Sequence, residues 1–322
     1  MKSQVISTAP GRVCLLGDKS DLLGRPVIAA AISKFFEFKF KPINEPIVKF
    51  NFPKKNLTFE RNFHANESDD FFKFFSQITY RLKDRIKPFE CTVDGDLPIG
   101  SGLSSSAACS IGFISGLNKL FGLNLNHHEI AEFAYQVEHE DLGIMCGRMD
   151  QYSIAYGGVT FIQTDNQTKV TNLQKVSLPL VIGDSCEPRR AATVLNSTME
   201  LLRNNDPHYR ACFDIIHKNV INGLSDIQNG DLAALGARMC VHQAMERSMG
   251  ASTAKLDKMC DLAIRAGALG AKQIGAGGSG CMIALCPDKG EETERIMEKV
   301  MEAVRSVGAN VWKANIHHEH IE

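Results

Sequence analysis

Residues 97–108 constrain the fold more than any other part of the chain, and they read Leu-Pro-Ile-Gly-Ser-Gly-Leu-Ser-Ser-Ser-Ala-Ala. This stretch follows a strand-like segment, Phe89–Asp96, and leads into a helix-like segment, Ser104–Phe121, so it predicts a strand, a turn of small residues and a helix. Small residues let backbone N–H groups approach an anion closely, and the dipole of the following helix favours negative charge at its N-terminus. The stretch therefore predicts a phosphate-binding loop. The alternative is a glycine- and serine-rich turn that only caps a core helix.

This loop differs from the common nucleotide-binding pattern GxxxxGK[ST], because no lysine follows its glycines. A counter-charge for bound phosphates must then come from elsewhere in the chain or from Mg²⁺. A second glycine-rich turn, Gly275–Gly280, lies between two apolar segments that read as strands. One such turn is common, and two in the same chain strengthen the prediction of a phosphate site.

Charged residues are concentrated in a loop near the start of the chain. Arg12 lies on a predicted strand, and the following loop holds Asp18, Lys19 and Asp21. Such a cluster is costly to desolvate unless a polar ligand uses it. Carboxylates at this place can accept hydrogen bonds from substrate hydroxyls, and the alternative is a solvated turn.

Another polar segment runs from Glu138 through two glycines to Asp150. A carboxylate near a hydroxyl can take its proton, and a second carboxylate can hold Mg²⁺, which are the two tasks that phosphoryl transfer requires besides positioning. The alternative is an acidic, solvated loop.

Composition excludes several classes of protein. The formal net charge is −1, from 36 Lys and Arg against 37 Asp and Glu, so no broad field would attract nucleic acid or an anionic membrane. The 10 cysteines are scattered without a CxxC pair, which is typical of reduced thiols in a cytoplasmic protein. Neither a signal peptide nor an apolar run of about 18 residues is present, so we expect no membrane association.

The length of 322 residues predicts two domains that share one cleft. Composition turns polar after Ile162, and we place the domain junction there. The predicted units are an N-terminal nucleotide- and phosphate-binding domain, 1–165, and a C-terminal domain, 166–322.

All four stretches, in their order along the chain, resemble the GHMP kinase family, whose founding members phosphorylate galactose, homoserine, mevalonate and phosphomevalonate. The family motif P-x-x-x-G-L-x-S-S-A is matched from Pro98 to Ala107, and its late G-x-G-G-x-G loop is matched at Gly275 to Gly280. The resemblance implies a two-domain α+β fold. Its N-terminal domain would be similar to the second domain of ribosomal protein S5, its C-terminal domain would be ferredoxin-like, and the active site would lie between them.

The resemblance also implies roles for individual residues. Asp150 matches the catalytic aspartate, and Arg12 matches a cation that keeps this carboxylate ionised and offsets charge in the transition state. Ser106 and Glu138 would hold Mg²⁺. Asp18, Lys19 and Asp21 would bind the substrate. The residues expected to bind ATP are Pro98, Gly100, Ser101, Gly102, Leu103, Ser104, Ser105 and Ser106 of the first loop, with Gly277 and Gly278 of the second.

The sequence constrains the identity of the acceptor substrate less than it constrains the type of reaction. Residues 138–151 are similar to the galactokinase version of the family, whereas 252–257 and 267–278 are similar to mevalonate kinase. Galactokinases have Glu-His where this chain has Asp18-Lys19, and a permanent cation there favours an anionic acceptor. We therefore expect a kinase that phosphorylates a sugar or a uronic acid at its anomeric hydroxyl, acting as a monomer or homodimer. The alternatives are a mevalonate kinase, a nucleotide sensor without turnover, and a Lys19 that is only a solvated charge.

Overall fold

The computed structural model describes residues 3–65, 72–165, 167–173, 176–188 and 190–321. Its strands are β1 (Val5–Leu16), β2 (Val27–Pro42), β3 (Ile47–Phe52), β4 (Leu57–Asn62), β5 (Phe89–Gly95), β6 (Val159–Gln163), β7 (Lys169–Asn172), β8 (Leu180–Asp184), β9 (Gly270–Gln273), β10 (Cys281–Leu285) and β11 (Asn310–Ala314). Its α-helices are α1 (Lys73–Leu82), α2 (Ser105–Phe121), α3 (His127–Gln136), α4 (Met149–Tyr156), α5 (Ala191–Arg203), α6 (Pro207–Gln228), α7 (Leu232–Ser248), α8 (Ala254–Arg265) and α9 (Glu291–Arg305). In this part of the chain, no helix is both long and apolar enough to span a membrane.

The first sheet contains β1 to β7 in the order β4-β3-β5-β2-β6-β7, with β1 paired to β2. β1 and β2 run antiparallel, and their register shifts between Pro10 and Gly11. Pro10 and Gly11 predict a break between two short strands. A β-bulge at this place instead lets the chain continue as one long strand. Alternate residues of β3 are buried, as expected for a strand with one wet face.

Phenylalanine rings form the core between this sheet and its helices. Phe75 and Phe113 stack with ring centroids 4.6 Å apart, and Phe113 also contacts Phe40 at 5.4 Å. α2 packs across β1 and β2, and glycines on α2 make that close approach possible. A Cβ atom at Gly116 would lie 2.0 Å from the Phe40 ring.

We expect Gly116→Ala to destabilise the protein by about 1–3 kcal/mol, because the added methyl overpacks a dense core. Helix propensity alone predicts a gain in stability, since alanine is more favourable than glycine in a helix interior by about 1 kcal/mol. Urea unfolding of the two proteins measures the difference. A more stable variant would show that the Phe40 ring can move aside without cost.

The second sheet is smaller and fully antiparallel, in the order β11-β8-β10-β9. α8 and α9 pack on it, and a separate apolar cluster that includes Met259, Val300 and Val304 fills the space between them. Trp312, the only tryptophan in the sequence, lies on β11 opposite Ile182.

The two sheets confirm the predicted α+β class. β7 joins the first sheet although it follows the predicted boundary at residue 165, and the division 1–165 and 166–322 itself stays a prediction. The C-terminal tail returns to the first sheet, where the His317 N–H donates to the Ala31 carbonyl at 2.9 Å. The tail therefore connects the last strand back to β2.

Candidate active site

A cavity opens where the start of α2 faces the loop after β1 and the second glycine-rich turn. Three segments of the first half of the chain and two of the second half form its wall. The residues that line it are Arg12, Lys19, Asp21, Leu22, Gly102, Ser104, Ser105, Ser106, Met145, Cys146, Gly147, Met149, Asp150, Leu195, Gly275 and Ala276. Predicted phosphate-binding, catalytic and substrate-binding residues thus meet in one place.

The loop before α2 presents an uncapped helix N-terminus to this cavity. Ser104 precedes the helix with a left-handed backbone (φ 59°) and makes no side-chain cap, in contrast to Asn126, which caps α3. The first N–H groups of a helix have no partner within the helix, so those of α2 remain available for an anion. Gly100 and Gly102 have φ of 76° and 97°, conformations that glycine adopts without strain.

Neighbouring strands hold the loop in place from both sheets. The Arg12 N–H donates to the Leu103 carbonyl at 3.2 Å, and the Cys281 N–H of β10 donates to the Ser101 carbonyl at 3.0 Å. Within the loop, the Ser101 hydroxyl donates to the Pro98 carbonyl at 3.1 Å. The loop before α2, the predicted phosphate loop, is therefore held in place by hydrogen bonds within the protein.

Arg12 and Asp150 form an ion pair at the cavity wall. Arg12 donates from Nε at 2.8 Å and lies with Nη2 at 2.6 Å from the same oxygen, Oδ1 of Asp150. Its Nη1 donates to the Gly102 carbonyl at 2.8 Å, which ties the pair to the phosphate loop. Asp150 keeps 28% of its side chain exposed, whereas Arg12 keeps 5%. The second oxygen of Asp150 can therefore meet a ligand while Arg12 orients the carboxylate.

Glu138 lies just behind this pair, in a π-helical turn, Val137–Asp141. Burial and the nearby charge of Asp150 raise the pKa of Glu138 to about 7, although hydrogen bonds from Ser106 and Gln151 oppose the shift. The Gln151 amide donates to Glu138 Oε2 at 2.8 Å. A buried carboxylate whose negative charge is poorly compensated is a suitable partner for a cation.

The donor set around Glu138 fits Mg²⁺ rather than a metal held entirely by protein. In the described part of the chain, no group of three or more His, Cys, Asp or Glu side chains could hold a metal ion. Glu138 and the Ser106 hydroxyl supply one carboxylate and one neutral oxygen. Mg²⁺ typically binds to one or two carboxylates, phosphate oxygens and water, so a nucleotide would complete the shell.

Asp21 also lines the cavity, next to the segment that carries Asp150. Its Oδ2 accepts a hydrogen bond from the Met149 N–H at 3.0 Å, and a Cβ atom at Gly147 would lie 2.0 Å from this oxygen. Burial, with the charge of Asp150, raises the pKa of Asp21 to about 6 despite that hydrogen bond. Asp21 can therefore accept hydrogen bonds from a hydroxyl-bearing ligand.

The structure places Asp18 differently from Asp21, although we predicted that both bind substrate. Asp18 is fully buried, is absent from the cavity wall, and forms an ion pair with Lys272 of β9. Its other oxygen accepts a hydrogen bond from the Gly275 N–H. Because both carboxylate oxygens of Asp18 bind groups inside the protein, Asp18 anchors the second glycine-rich turn.

The second glycine-rich turn reaches the cavity with Gly275 and Ala276 rather than with the predicted pair. Gly278 donates from its N–H to the Ala251 carbonyl at 2.8 Å, and a Cβ atom at Gly277 would lie 2.1 Å from the same carbonyl oxygen. Gly277 and Gly278 therefore allow the turn to pack against the end of α7, and their assignment as ATP ligands stays a prediction.

A second, apolar pocket of about 220 Å³ adjoins the first and shares Ser105 and Ser106 with it. Its other lining residues are Phe52, Phe74, Phe75, Ile99 and Cys109. Sequence reasoning did not find this pocket, because its residues come from β3, α1, the loop and α2, which only the fold brings together. Glu246, which binds Lys19, and Gln273, which donates to Glu246, were missed for the same reason.

Two family models match the chain. The model of the GHMP kinases N terminal domain matches residues 71–158, and that of the GHMP kinases C terminal domain matches residues 224–309. Among curated relatives, the mevalonate kinase of Pyrococcus furiosus is 30% identical over 308 residues, covering 90% of this chain and 91% of its own. The galactokinase of Thermococcus kodakarensis is 26% identical over 318 residues, covering 89% and 91%.

Solved structures agree on the fold. Galactokinase from Lactococcus lactis, complexed with galactose, superposes with a TM-score of 0.84 at 21% identity, over 98% of this chain and 94% of its own. Mevalonate kinase from Methanococcus jannaschii superposes with a TM-score of 0.81 at 23% identity, over 98% of each chain.

Proposed function

The chain belongs to the GHMP kinase family, whose members are phosphotransferases that act on hydroxyl groups, and from this premise we propose that it transfers the γ-phosphoryl group of ATP to a hydroxyl of a sugar or sugar acid. The anomeric C1 hydroxyl is the proposed acceptor position. The observation that carries the proposal is the Arg12–Asp150 pair, which lies in one cavity with the uncapped start of α2.

Asp150 would receive the acceptor hydroxyl on its free oxygen. Arg12 neutralises the first oxygen and keeps the carboxylate oriented, so the second can orient the hydroxyl or take its proton. Arg12 also lies next to the phosphate loop through Gly102, where it offsets charge that develops on the transferred group. Backbone N–H groups of the loop and of the first turn of α2 would bind the phosphates.

Mg²⁺, when bound, would supply positive charge that offsets the negative charge of the phosphates. Ser106 and Glu138 are the residues proposed to hold it, since Ser106 lies in the first turn of α2 and its side chain is hydrogen-bonded to the buried Glu138 carboxylate. Gln151 orients the Glu138 carboxylate by donating a hydrogen bond to Oε2. This arrangement requires Glu138 in its charged form.

The apolar pocket is the proposed place of the adenine ring. It adjoins the phosphate loop, its lining is aromatic and aliphatic, and its volume of about 220 Å³ suits a planar base. Phe75 of α1 and Cys109 of α2 both line it. The base would lie on one side of Ser105 and Ser106 and the acceptor on the other.

Cys109→Phe is expected to raise the KM for ATP about tenfold or more, because the larger ring fills the pocket. The kcat at saturating ATP should change less, since the acceptor cavity is untouched. Steady-state kinetics with varied ATP measures both. Cys240→Phe, on a half-buried site of α7 outside both pockets, controls for the added ring. An unchanged KM for ATP in Cys109→Phe would place the base elsewhere.

Mevalonate is the second candidate acceptor, and the full-length similarity to relatives named mevalonate kinase supports it. The galactokinase relative supports the sugar. A nucleotide sensor without turnover is a third possibility, which the complete set of Arg12, Ser106, Glu138 and Asp150 disfavours.

An ADP-release assay with MgATP distinguishes these candidates. The acceptor panel holds galactose, galacturonate, glucuronate, N-acetylhexosamines, myo-inositol and mevalonate. Turnover of a sugar or sugar acid that Asp150→Asn abolishes would support the proposal. Turnover of mevalonate alone would replace it with the second candidate, and ATP binding without any turnover would favour the sensor.

A further inference from the structure

Lys19 borders the acceptor cavity, yet its charge is directed away from it. The residue has a left-handed backbone (φ 67°), and only 2% of its side chain is exposed. Its ammonium group donates to both carboxylate oxygens of Glu246 on α7, at 2.8 and 2.6 Å. A buried ion pair thus joins the loop after β1 to the second half of the chain.

The hydrogen bonds of this ammonium group are fully used. An ammonium has three donors, and two of them go to Glu246 while the third faces the Ala276 carbonyl at 3.5 Å. Within the described residues, Lys19 therefore keeps no donor for a carboxylate in the cavity. This differs from the expectation that a free cation at position 19 would attract an anionic acceptor.

Glu246 is in turn held on both of its oxygens. Gln273 donates from Nε2 to Oε2 at 3.1 Å, and His242 Nε2 lies 3.3 Å from Oε1. Burial alone would raise the pKa of Glu246, but the Lys19 charge and His242 outweigh burial and lower it. Glu246 therefore stays charged and cancels the Lys19 charge.

Other charges around the cavity do not restore a positive field. Arg12 is paired with Asp150, and Lys272 is paired with Asp18. Asp21 remains on the wall as an acceptor of hydrogen bonds. Among the described residues that line the cavity, a carboxylate placed beside Lys19 would meet these acidic groups without an uncompensated cation, whereas neutral hydroxyls could donate to them.

We propose that Glu246 determines acceptor specificity: by pairing with Lys19 it makes this wall of the cavity neutral, and so it selects a neutral polyol acceptor over the matching carboxylate. This inference rests on the proposed function and narrows its substrate class. Glu246 is a positioning residue, since it acts on the substrate through Lys19.

The test compares matched acceptors, galactose against galacturonate, in wild type and in Glu246→Gln. Wild type is expected to have a kcat/KM at least about tenfold higher for the neutral sugar. Glutamine keeps the size of the side chain and removes the negative charge, so the freed Lys19 charge should lower this ratio about tenfold, mainly through the KM for the acid. Thermal unfolding establishes that the variant folds.

Two further variants make the outcome decisive. Glu246→Asp keeps the charge but shortens its reach, so it should shift the ratio in the same direction by less. This variant replaces Glu246→Gln in the test if Glu246→Gln does not fold. The double variant Lys19→Met/Glu246→Leu removes both charges and should keep the wild-type preference. A loss of preference in this double variant would assign the selection to packing rather than to charge and would overturn the inference.

A wild-type preference for galacturonate would also overturn the inference, as would an unchanged ratio in folded Glu246→Gln. Both results leave the kinase assignment intact, because turnover is still observed. Absence of turnover with every sugar and sugar acid would instead overturn the proposed function, and the inference with it.

Discussion

Asp150→Asn should lower kcat by at least about 100-fold, and by up to about 10⁴-fold if Asp150 removes the proton outright. Asparagine has nearly the same shape, so Arg12 still finds an oxygen to bind. It carries no charge, however, and it cannot take a proton from the acceptor hydroxyl. Single-turnover ADP release with the best acceptor of the panel measures the effect.

The KM for ATP should change little in Asp150→Asn, because asparagine keeps an oxygen for Arg12, which contacts the loop before α2, and because Asp150 does not line the apolar pocket. Asp165→Asn, which neutralises an exposed carboxylate outside the cavity, is the matched control and should behave like wild type. A kcat within about threefold of wild type in Asp150→Asn would remove Asp150 from the chemistry and leave Arg12 and Mg²⁺ as the remaining contributors.

Glu138→Gln should lower activity and raise stability at the same time. Loss of the carboxylate that we propose to hold Mg²⁺ is expected to reduce kcat/KM for MgATP by at least about 100-fold, since the metal would offset several kcal/mol of developing charge. Without metal, the same carboxylate opposes folding once it is charged. Its pKa is about 7 in the folded protein against an ordinary value of 4.5.

The sign of the stability effect follows from these two pKa values. An acid with a raised pKa in the folded state favours folding only while it is protonated, so wild type loses stability as pH rises from about 4.5 to about 7. The loss reaches about 3 kcal/mol above pH 7. Glutamine cannot ionise, so Glu138→Gln should be more stable than wild type at pH 8 and similar to it at pH 4.5.

Urea unfolding in EDTA at the two pH values tests this expectation. Glu140→Gln, an exposed glutamate in the same turn, should show no such pH dependence. Added Mg²⁺ and ATP should stabilise wild type more than Glu138→Gln, because only the wild-type carboxylate gains a partner. An equal stability difference at both pH values would mean that Glu138 is not buried with an uncompensated charge.

Much of the site follows from local sequence patterns. The glycine and serine run before α2 predicts a turn of small residues that leads into a helix, and the family motifs locate Arg12, Ser106, Glu138 and Asp150 around it. Apolar periodicity predicts helices around 189–203, 206–228, 231–247, 253–267 and 290–306, and helices α5 to α9 begin and end within a few residues of these bounds. These features are local, so a single sequence carries them.

Features that depend on distant partners were not predictable. The sequences of β4 and β7 are polar and are more typical of turns than of strands, because each is an edge strand with a large exposed face. β11 was missed as well. The partner of Lys19 is a glutamate on α7, and only the fold brings their side chains together. Sequence alone could therefore identify Lys19 as a charge near the substrate but not show that this charge is compensated.

Trp312 gives an optical signal from the place where the two sheets share a core. The sole tryptophan lies on β11 of the second sheet and packs against the large apolar cluster that includes the phenylalanine rings of the first. Tryptophan-selective fluorescence will therefore report the loss of packing between the four-stranded sheet and this shared core, whereas far-UV circular dichroism reports the backbone of both sheets. Coincident transitions by the two methods would show that the sheets unfold as one cooperative unit, and separate transitions would give the stability of each.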